Sequence, residues 1–532
     1  MSTPLQPPHA QFDIIFAGGG PCACIAASRL LEHDNNLRIL VIEYGSHVKF
    51  ERRHIQPAQF VRLQTDPEVL HFHVGKPSPA LGGRSPIVPT GKAAETYQEQ
   101  DTNGTHGTSG PIKVSFAPDL TQVGDAFIDA SIQYDKGRGK SDDINGFHEC
   151  DVYGKWARYI DKETGRRSDV PHHYIYNKPE TQNLTIMTQT IVDSVVIENG
   201  RAVGVKYQSL KTPGSSERVA HATKFVVLGV GAFGSPAILE RSGIGSTKVL
   251  QQLNISQIVD LPGVGENYMD HIAVFPPYRG SQESETLDEI FYGTEEQFEH
   301  YERVWTKTGQ GLMAHNSVDA GAKLRPNAQD LQEMSPEMDE RWKNYYANAP
   351  DRPLLILGSM AGFLAGPSPS LEEKFFTVPF FPGHLASTGY THIASRDPHI
   401  PTDFHPGYLD HPADLAVMRW GYKKSRELAR RMRCYRGEVP AAHPNFNNGS
   451  PAAIIENDLP HSTDEPDICG TCAMKPRAHG GVVDERLNVY GVQGLKVADC
   501  SIFPGNVAAN TYNTAIAIGE KAAVIIAEDL KL

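Results

Sequence analysis

The chain has 532 residues, with 50 lysines and arginines against 63 aspartates and glutamates, a formal charge of −13 at pH 7, and seven cysteines. That length provides for two or more domains or one large composite, and the acidic balance disfavours nucleic acid or an anionic membrane as partner. No apolar run approaches the ~18 residues of a membrane-crossing helix, and an odd, scattered set of cysteines fits a reducing compartment without a disulfide framework.

The first ten residues, MSTPLQPPHA, are polar and proline-rich and lack the basic start and apolar core of a secretory signal. A cytoplasmic location is therefore expected, and the sequons at Asn103, Asn183, Asn254 and Asn448 carry no glycan expectation. Phe12-Asp13-Ile14-Ile15-Phe16-Ala17 reads as a short buried strand running into Gly18-Gly19-Gly20-Pro21-Cys22-Ala23, a GxGxxG pattern with Ala23 in the last place. A helical pattern follows, then an apolar strand at residues 39–42 that ends at Glu43, 20 residues beyond Ala23. Strand, glycine turn, helix and acid in this register make a dinucleotide-binding βαβ unit. Gly18 and Gly20 let the backbone approach a pyrophosphate, the helix N-terminus offers N–H groups and partial positive charge, and Glu43 accepts hydrogen bonds from ribose hydroxyls.

Residues 46–180 read as surface excursions, rich in Pro, Gly, His and charge in their first part. Strands are expected at 184–187, 194–197 and 202–205, the last two joined by a turn at Asn199-Gly200. An apolar strand at 225–228 leads into GAFGSPAILERSGIG, residues 231–245. Its small residues suit close backbone approach, and Pro236 suits the first turn of a helix. From about 272 to 460 aromatics and prolines rise, with strand-like runs at 375–381 and 390–395 and an amphipathic helix at 412–433. Residues 481–528 return to the style of the nucleotide unit. Cys469-x-x-Cys472 has no second cysteine pair to make a zinc site, and no metal is expected. The terminal Leu-Lys-Leu is a weak match to a peroxisomal address.

The 231–245 stretch resembles, position by position, the second signature of the glucose–methanol–choline (GMC) flavin oxidoreductases. Residues 81–89, 164–168, 309–326, 420–431, 481–499 and 504–523 resemble the fungal and yeast alcohol (methanol) oxidase branch. The resemblance implies an α/β fold: a Rossmann-like FAD-binding domain, discontinuous in sequence, with an antiparallel-sheet substrate or cap domain. The FAD-binding parts would be residues 1–271 and 461–532, and the cap 272–460. It also implies that Val192 meets the adenine through its backbone, that Asp499 accepts a ribityl hydroxyl, and that Asn510 is one of two polar catalytic side chains beside the flavin.

Two interruptions in the resemblance bear on activity. After Pro89-Thr90-Gly91 the family pattern has a flavin-wrapping Gly-Gly-Ser-Ser-x-Asn segment, whereas here Lys92-Ala93-Ala94-Glu95 follows directly. Before Cys469-Gly470-Thr471-Cys472 the pattern has a catalytic histidine, and Asp467 stands in its place. Removing a hydroxyl proton is done best by a base titrating near working pH, so Asp467 is the weaker substitute, and His461 and His479 are the nearby alternatives.

The expected activity is oxidation of a primary alcohol to an aldehyde with FAD as cofactor. Its partners are a small-molecule alcohol and dioxygen or another electron acceptor, with a homo-oligomer left open. The alternatives are a GMC-type enzyme tailoring a larger metabolite, and a catalytically impaired homologue or shortened gene product. The chain as written is expected to oxidise alcohols weakly.

Overall fold

The structure, a computed structural model, describes residues 11–63, 66, 69–91, 109–116, 121–145, 150–179, 181–212, 214–334, 336–366, 370, 372–444 and 471–532. A seven-stranded sheet is built around Gln11–Ala17, which lies parallel to Ile39–Ile42 on one side and to Arg218–Leu228 on the other. Leu184–Met187 extends the parallel set beyond Ile39–Ile42, and Leu495–Val497 pairs in parallel with the carboxyl end of Arg218–Leu228. The amino end of that long strand turns antiparallel, to Arg201–Ser209 and then Thr190–Glu198. Asn199 and Gly200 both have positive φ in the two-residue turn between those last strands, as the sequence suggests.

The strands at the centre are apolar along their length because both faces are covered. Ile14, Ile15, Phe16, Leu40, Val226 and Val227 are fully buried, and each contributes roughly 1.5–3 kcal/mol of hydrophobic stabilisation. Helix Pro21–His33 packs along the C-terminal helix, Tyr512–Leu530. Gly519 permits that approach: a Cβ there would lie 2.8 Å from the Cys22 carbonyl oxygen.

The second sheet has eight strands. Its order is Tyr435–Glu438, Pro277–Gly280, Lys374–Thr377, Leu355–Met360, Val318–Leu324, Val152–Lys155 and Gly139–Ser141, with Phe380–Pro382 also on Leu355–Met360. All its pairings are antiparallel except that of the two early strands. Helices Gln122–Tyr134 and Pro412–Arg431 pack against it.

Three expectations are corrected here. Residues 46–180 are not surface excursions throughout: Val152–Lys155 hydrogen-bonds to Val318–Leu324 inside the second sheet, and Phe127 and Tyr153 are fully buried. The run at 375–381 is two strands, because Pro379 has no N–H to give a ladder. The helix of the 231–245 stretch spans Gly231–Arg241, which places Pro236 in its interior rather than in its first turn.

Candidate active site

Five parallel strands end at one edge of the first sheet, and four of them lead into candidate residues. Ala17 leads to Gly18, Ile42 to Glu43, Leu228 to Gly229–Gly231, and Val497 to Ala498 and Asp499. Carboxyl ends of parallel strands are where open α/β sheets bind ligands.

The glycines there do different work. Gly18 has φ +100°, and a Cβ would lie 2.2 Å from Gly229 O, so the turn itself requires glycine. At Gly20 the nearest neighbour to an added Cβ is that same oxygen at 3.5 Å, and at Gly231 nothing lies within 4 Å. Packing therefore does not demand glycine at Gly20, and the space beside it suits a ligand approaching the backbone.

Gly20 caps helix Pro21–His33 without a side-chain hydrogen bond, and no acidic residue lies in the helix's first turn. Its positive end is left to an external anion. Ala23 is buried at the close crossing with Gly229. Glu43 Oε2 accepts the Gly19 N–H at 2.8 Å and Oε1 accepts the Gly45 N–H at 2.7 Å. The carboxylate is thereby fixed against the glycine turn, with lone pairs remaining on both oxygens. Val192 lies on Thr190–Glu198, two residues past Thr190, whose N–H donates to the Glu43 carbonyl at 3.0 Å. These residues fit the adenosine diphosphate half of FAD.

Asp499 is buried at the start of helix Gly231–Arg241. Its Oδ2 accepts the Gly231 N–H at 3.0 Å and the Ser235 hydroxyl at 2.5 Å, and Oδ1 accepts the Ser501 N–H at 2.8 Å. Burial pushes its carboxyl pKa up, and the bonds from Ser235, Ser501 and Gly231 pull it back. The same helix tolerates Pro236 because Pro236 cannot donate to the carbonyl of Ala232, and the Thr471 hydroxyl does so instead at 2.6 Å. Thr471 is fully buried, so its hydroxyl has this protein carbonyl rather than water as its acceptor.

Asn510 is half-buried at the end of the loop 503–510, just before the C-terminal helix. It is not the helix cap: Thr511 holds that position, and no side chain caps the helix. Asp467 and His461 lie outside the described residues. His479 is exposed, in a turn whose next residue, Gly480, packs on Gly263.

Two residues around Asn510's loop had no signal in the sequence. His384 Nδ1 lies 3.2 Å from the Asn506 carbonyl oxygen, and His271 Nε2 lies 3.2 Å from Gly383 O and 3.5 Å from Asn506 Nδ2. Their ring contacts come from segments more than a hundred residues away in sequence, which no local pattern encodes. Burial, aided by His271, holds the His384 pKa down at about 4.

Two further clusters are structural. His54, Asp169 and His172 bring ligand-type atoms within 4.8 Å of one another. His172, however, has Nδ1 on Asp169 at 2.8 Å and Nε2 on the Lys49 carbonyl at 3.2 Å. Two acceptors require an imidazolium; burial opposes that charge, yet Asp169 keeps the His172 pKa raised. The group is a buried ion pair. Cys472 is fully buried, and burial, with Asp499 nearby, drives its thiol pKa far above the ordinary value, which leaves it a protonated, unreactive thiol.

Two family profiles, both described as GMC oxidoreductase, match residues 91–273 and 386–519. Alcohol oxidase of Candida boidinii is 33% identical over 633 residues, covering 98% of this chain and 95% of that protein. Alcohol oxidase of Pichia angusta is 33% identical over 634 residues with the same coverage. An alignment of 633 positions for a chain of 532 residues leaves more than a hundred positions without a counterpart here, in keeping with interruptions inside the chain. A formate oxidase of Aspergillus oryzae, 19% identical, superposes with a TM-score of 0.82 over 99% of this chain and 100% of its own, and so shares the fold.

Proposed function

The chain belongs to the GMC oxidoreductase family and is an FAD-dependent oxidoreductase, and from that premise we propose that it oxidises a primary alcohol to the aldehyde. The observation that carries the proposal is the convergence of Gly18–Gly20, Glu43, Gly231 and Asp499 on one sheet edge, with the Asn510 loop leading away from it into the C-terminal helix. The alcohol substrate class rests on the likeness to the yeast alcohol oxidases.

In this reading the Gly18–Gly20 turn and the N-terminus of helix Pro21–His33 take the pyrophosphate, Glu43 takes the ribose hydroxyls, and the Val192 backbone meets the adenine. Asp499 is a ribityl acceptor through the lone pairs its three present bonds leave. Bound FAD supplies the acceptor for the hydride that leaves the alcohol carbon, and dioxygen or another oxidant then regenerates it. Asn510 donates a hydrogen bond to the alcohol oxygen and holds the carbinol carbon in line. The hydroxyl proton goes to a base, and Asp467 stands where the family pattern has a histidine. A carboxylate is a poorer proton acceptor than an imidazole near neutral pH, and loss of a well-matched base costs on the order of 10²–10⁴ in rate. Slow turnover follows.

The test is anaerobic: FAD-loaded protein is mixed with methanol, ethanol and benzyl alcohol, and loss of the oxidised-flavin absorbance is timed. Slow bleaching by at least one alcohol, accelerated about 10²-fold or more by Asp467→His, is expected. Bleaching by dithionite but by no alcohol in either protein overturns the proposal.

A further inference from the structure

We infer that His384 is a positioning residue for the proposed alcohol oxidation, clamping the loop that carries Asn510 to the second sheet. The inference rests on the reading of Asn510 as the partner of the alcohol oxygen.

The loop 503–510 is held at both ends. On its far side Tyr159 donates its hydroxyl to Asn513 Oδ1, and the Tyr512 hydroxyl accepts the Val170 N–H at 3.2 Å. On its near side the backbone is held by His384 Nδ1, which donates to the Asn506 carbonyl at 3.2 Å, while the Asn506 side chain meets His271 Nε2 at 3.5 Å. Asn510 lies between these two attachments. Gly505 precedes the near one and has open space around it, with nothing within 4 Å of an added Cβ, so the backbone at Asn506 has room to shift once the His384 bond is lost.

His384 is itself well anchored. Its carbonyl accepts the Tyr346 hydroxyl at 2.9 Å and Arg341 Nη2 at 3.1 Å, and its ring meets the edge of Tyr345 with centroids 5.6 Å apart. The preceding Gly383 is pressed on the loop, since a Cβ there would lie 3.1 Å from Ala508 Cβ. Gly383 O in turn takes His271 Nε2 at 3.2 Å. His271's backbone N–H is fixed by Asp270 Oδ1 at 2.7 Å, and Asp270 Oδ2 accepts the hydroxyls of Tyr268 and Tyr408.

A carbonyl only accepts, so Nδ1 of His384 carries the proton whatever the state of Nε2. The low His384 pKa keeps the ring neutral across the working range, and even protonation would preserve the Nδ1 donor. The clamp is therefore indifferent to pH, and its effect on catalysis is geometric. Displacing a positioned group by about 1 Å can cost about 10²-fold in rate.

The experiment compares His384→Phe, which keeps ring volume and removes the donor, with His384→Asn, whose amide can return a donor to the Asn506 carbonyl. Each is the full chain loaded with FAD. Amide hydrogen exchange over peptides spanning 503–511 is the first readout, and the anaerobic bleaching rate against alcohol concentration is the second. In His384→Phe, exchange over 503–511 rises about tenfold, limiting bleaching rate falls about 10–10²-fold with half-saturating alcohol little changed, and bound flavin is unchanged. His384→Asn recovers most of both. Unchanged exchange in His384→Phe overturns the clamp, as does an equal rate loss in both variants. A wild-type chain inert to every alcohol, with exchange responding as stated, sinks the alcohol reading and leaves the clamp standing.

Discussion

Replacing Thr471 by valine keeps the shape of a fully buried side chain and removes one hydroxyl. That hydroxyl donates to the Ala232 carbonyl at 2.6 Å, which Pro236 cannot serve. With the donor gone, the carbonyl is left buried and unsatisfied, and the cost is about 1–3 kcal/mol. Pro236→Ala supplies a backbone N–H at the position that faces Ala232 O in an uninterrupted helix. In that background Thr471→Val should cost less than about 0.5 kcal/mol, so the two changes couple by roughly 1–2 kcal/mol in a double-mutant cycle. Urea unfolding followed by tryptophan fluorescence gives each stability from midpoint and slope, and Thr471→Ser, which retains the hydroxyl, is the control. Equal losses from Thr471→Val with and without Pro236 would refute the reasoning, because the hydroxyl would then matter for something other than the proline's missing donor.

Two predictions concern other parts of the chain. Gly18→Ala forces a side chain into φ +100° and against Gly229 O; the strain and clash should cost at least about 1–3 kcal/mol, and a thermal midpoint equal to wild type would contradict it. His392 sits between Glu240 at 2.7 Å and Glu266 at 3.1 Å, and although burial opposes its charge, those carboxylates raise its pKa to about 9. Its folded pKa lies above its ordinary value of 6.5. Its stabilisation, roughly 3 kcal/mol at most, is therefore complete below that value and disappears as pH rises through about 9. Between pH 7 and 10 wild type should lose more stability than His392→Gln, and parallel pH curves would count against the ion pair.

The nucleotide-binding half was legible because its information is local. Phe12, Ile14, Ile15 and Phe16, the glycines at 18–20 and Glu43 form strand, turn and acid within about thirty residues, and the Glu43 carboxylate closes the unit on the Gly19 N–H. The second sheet was less legible because its order depends on distant pairing: Val152–Lys155 finds Val318–Leu324 across more than 160 residues. Polar, glycine-rich flanks disguised that strand as part of an excursion. The interior place of Pro236 was hidden for the same reason, since its compensating donor, Thr471, lies 235 positions away. His384 and His271 carry no local sequence signal, and it is the packing of Gly383 on Ala508 that brings them to the loop that ends at Asn510.

The central claim is that FAD binds at the carboxyl edge of the seven-stranded sheet, and its most direct test is flavin occupancy in wild type and Gly20→Val. An added side chain at Gly20 meets little protein, with Gly229 O at 3.5 Å from the Cβ, so it should spare the fold and obstruct only the ligand. Wild type should hold one FAD per chain after gel filtration. Gly20→Val should emerge largely colourless, with an unchanged circular dichroism spectrum and urea midpoint measured without FAD. A folded Gly20→Val chain that retains FAD as fully as wild type would contradict the claim.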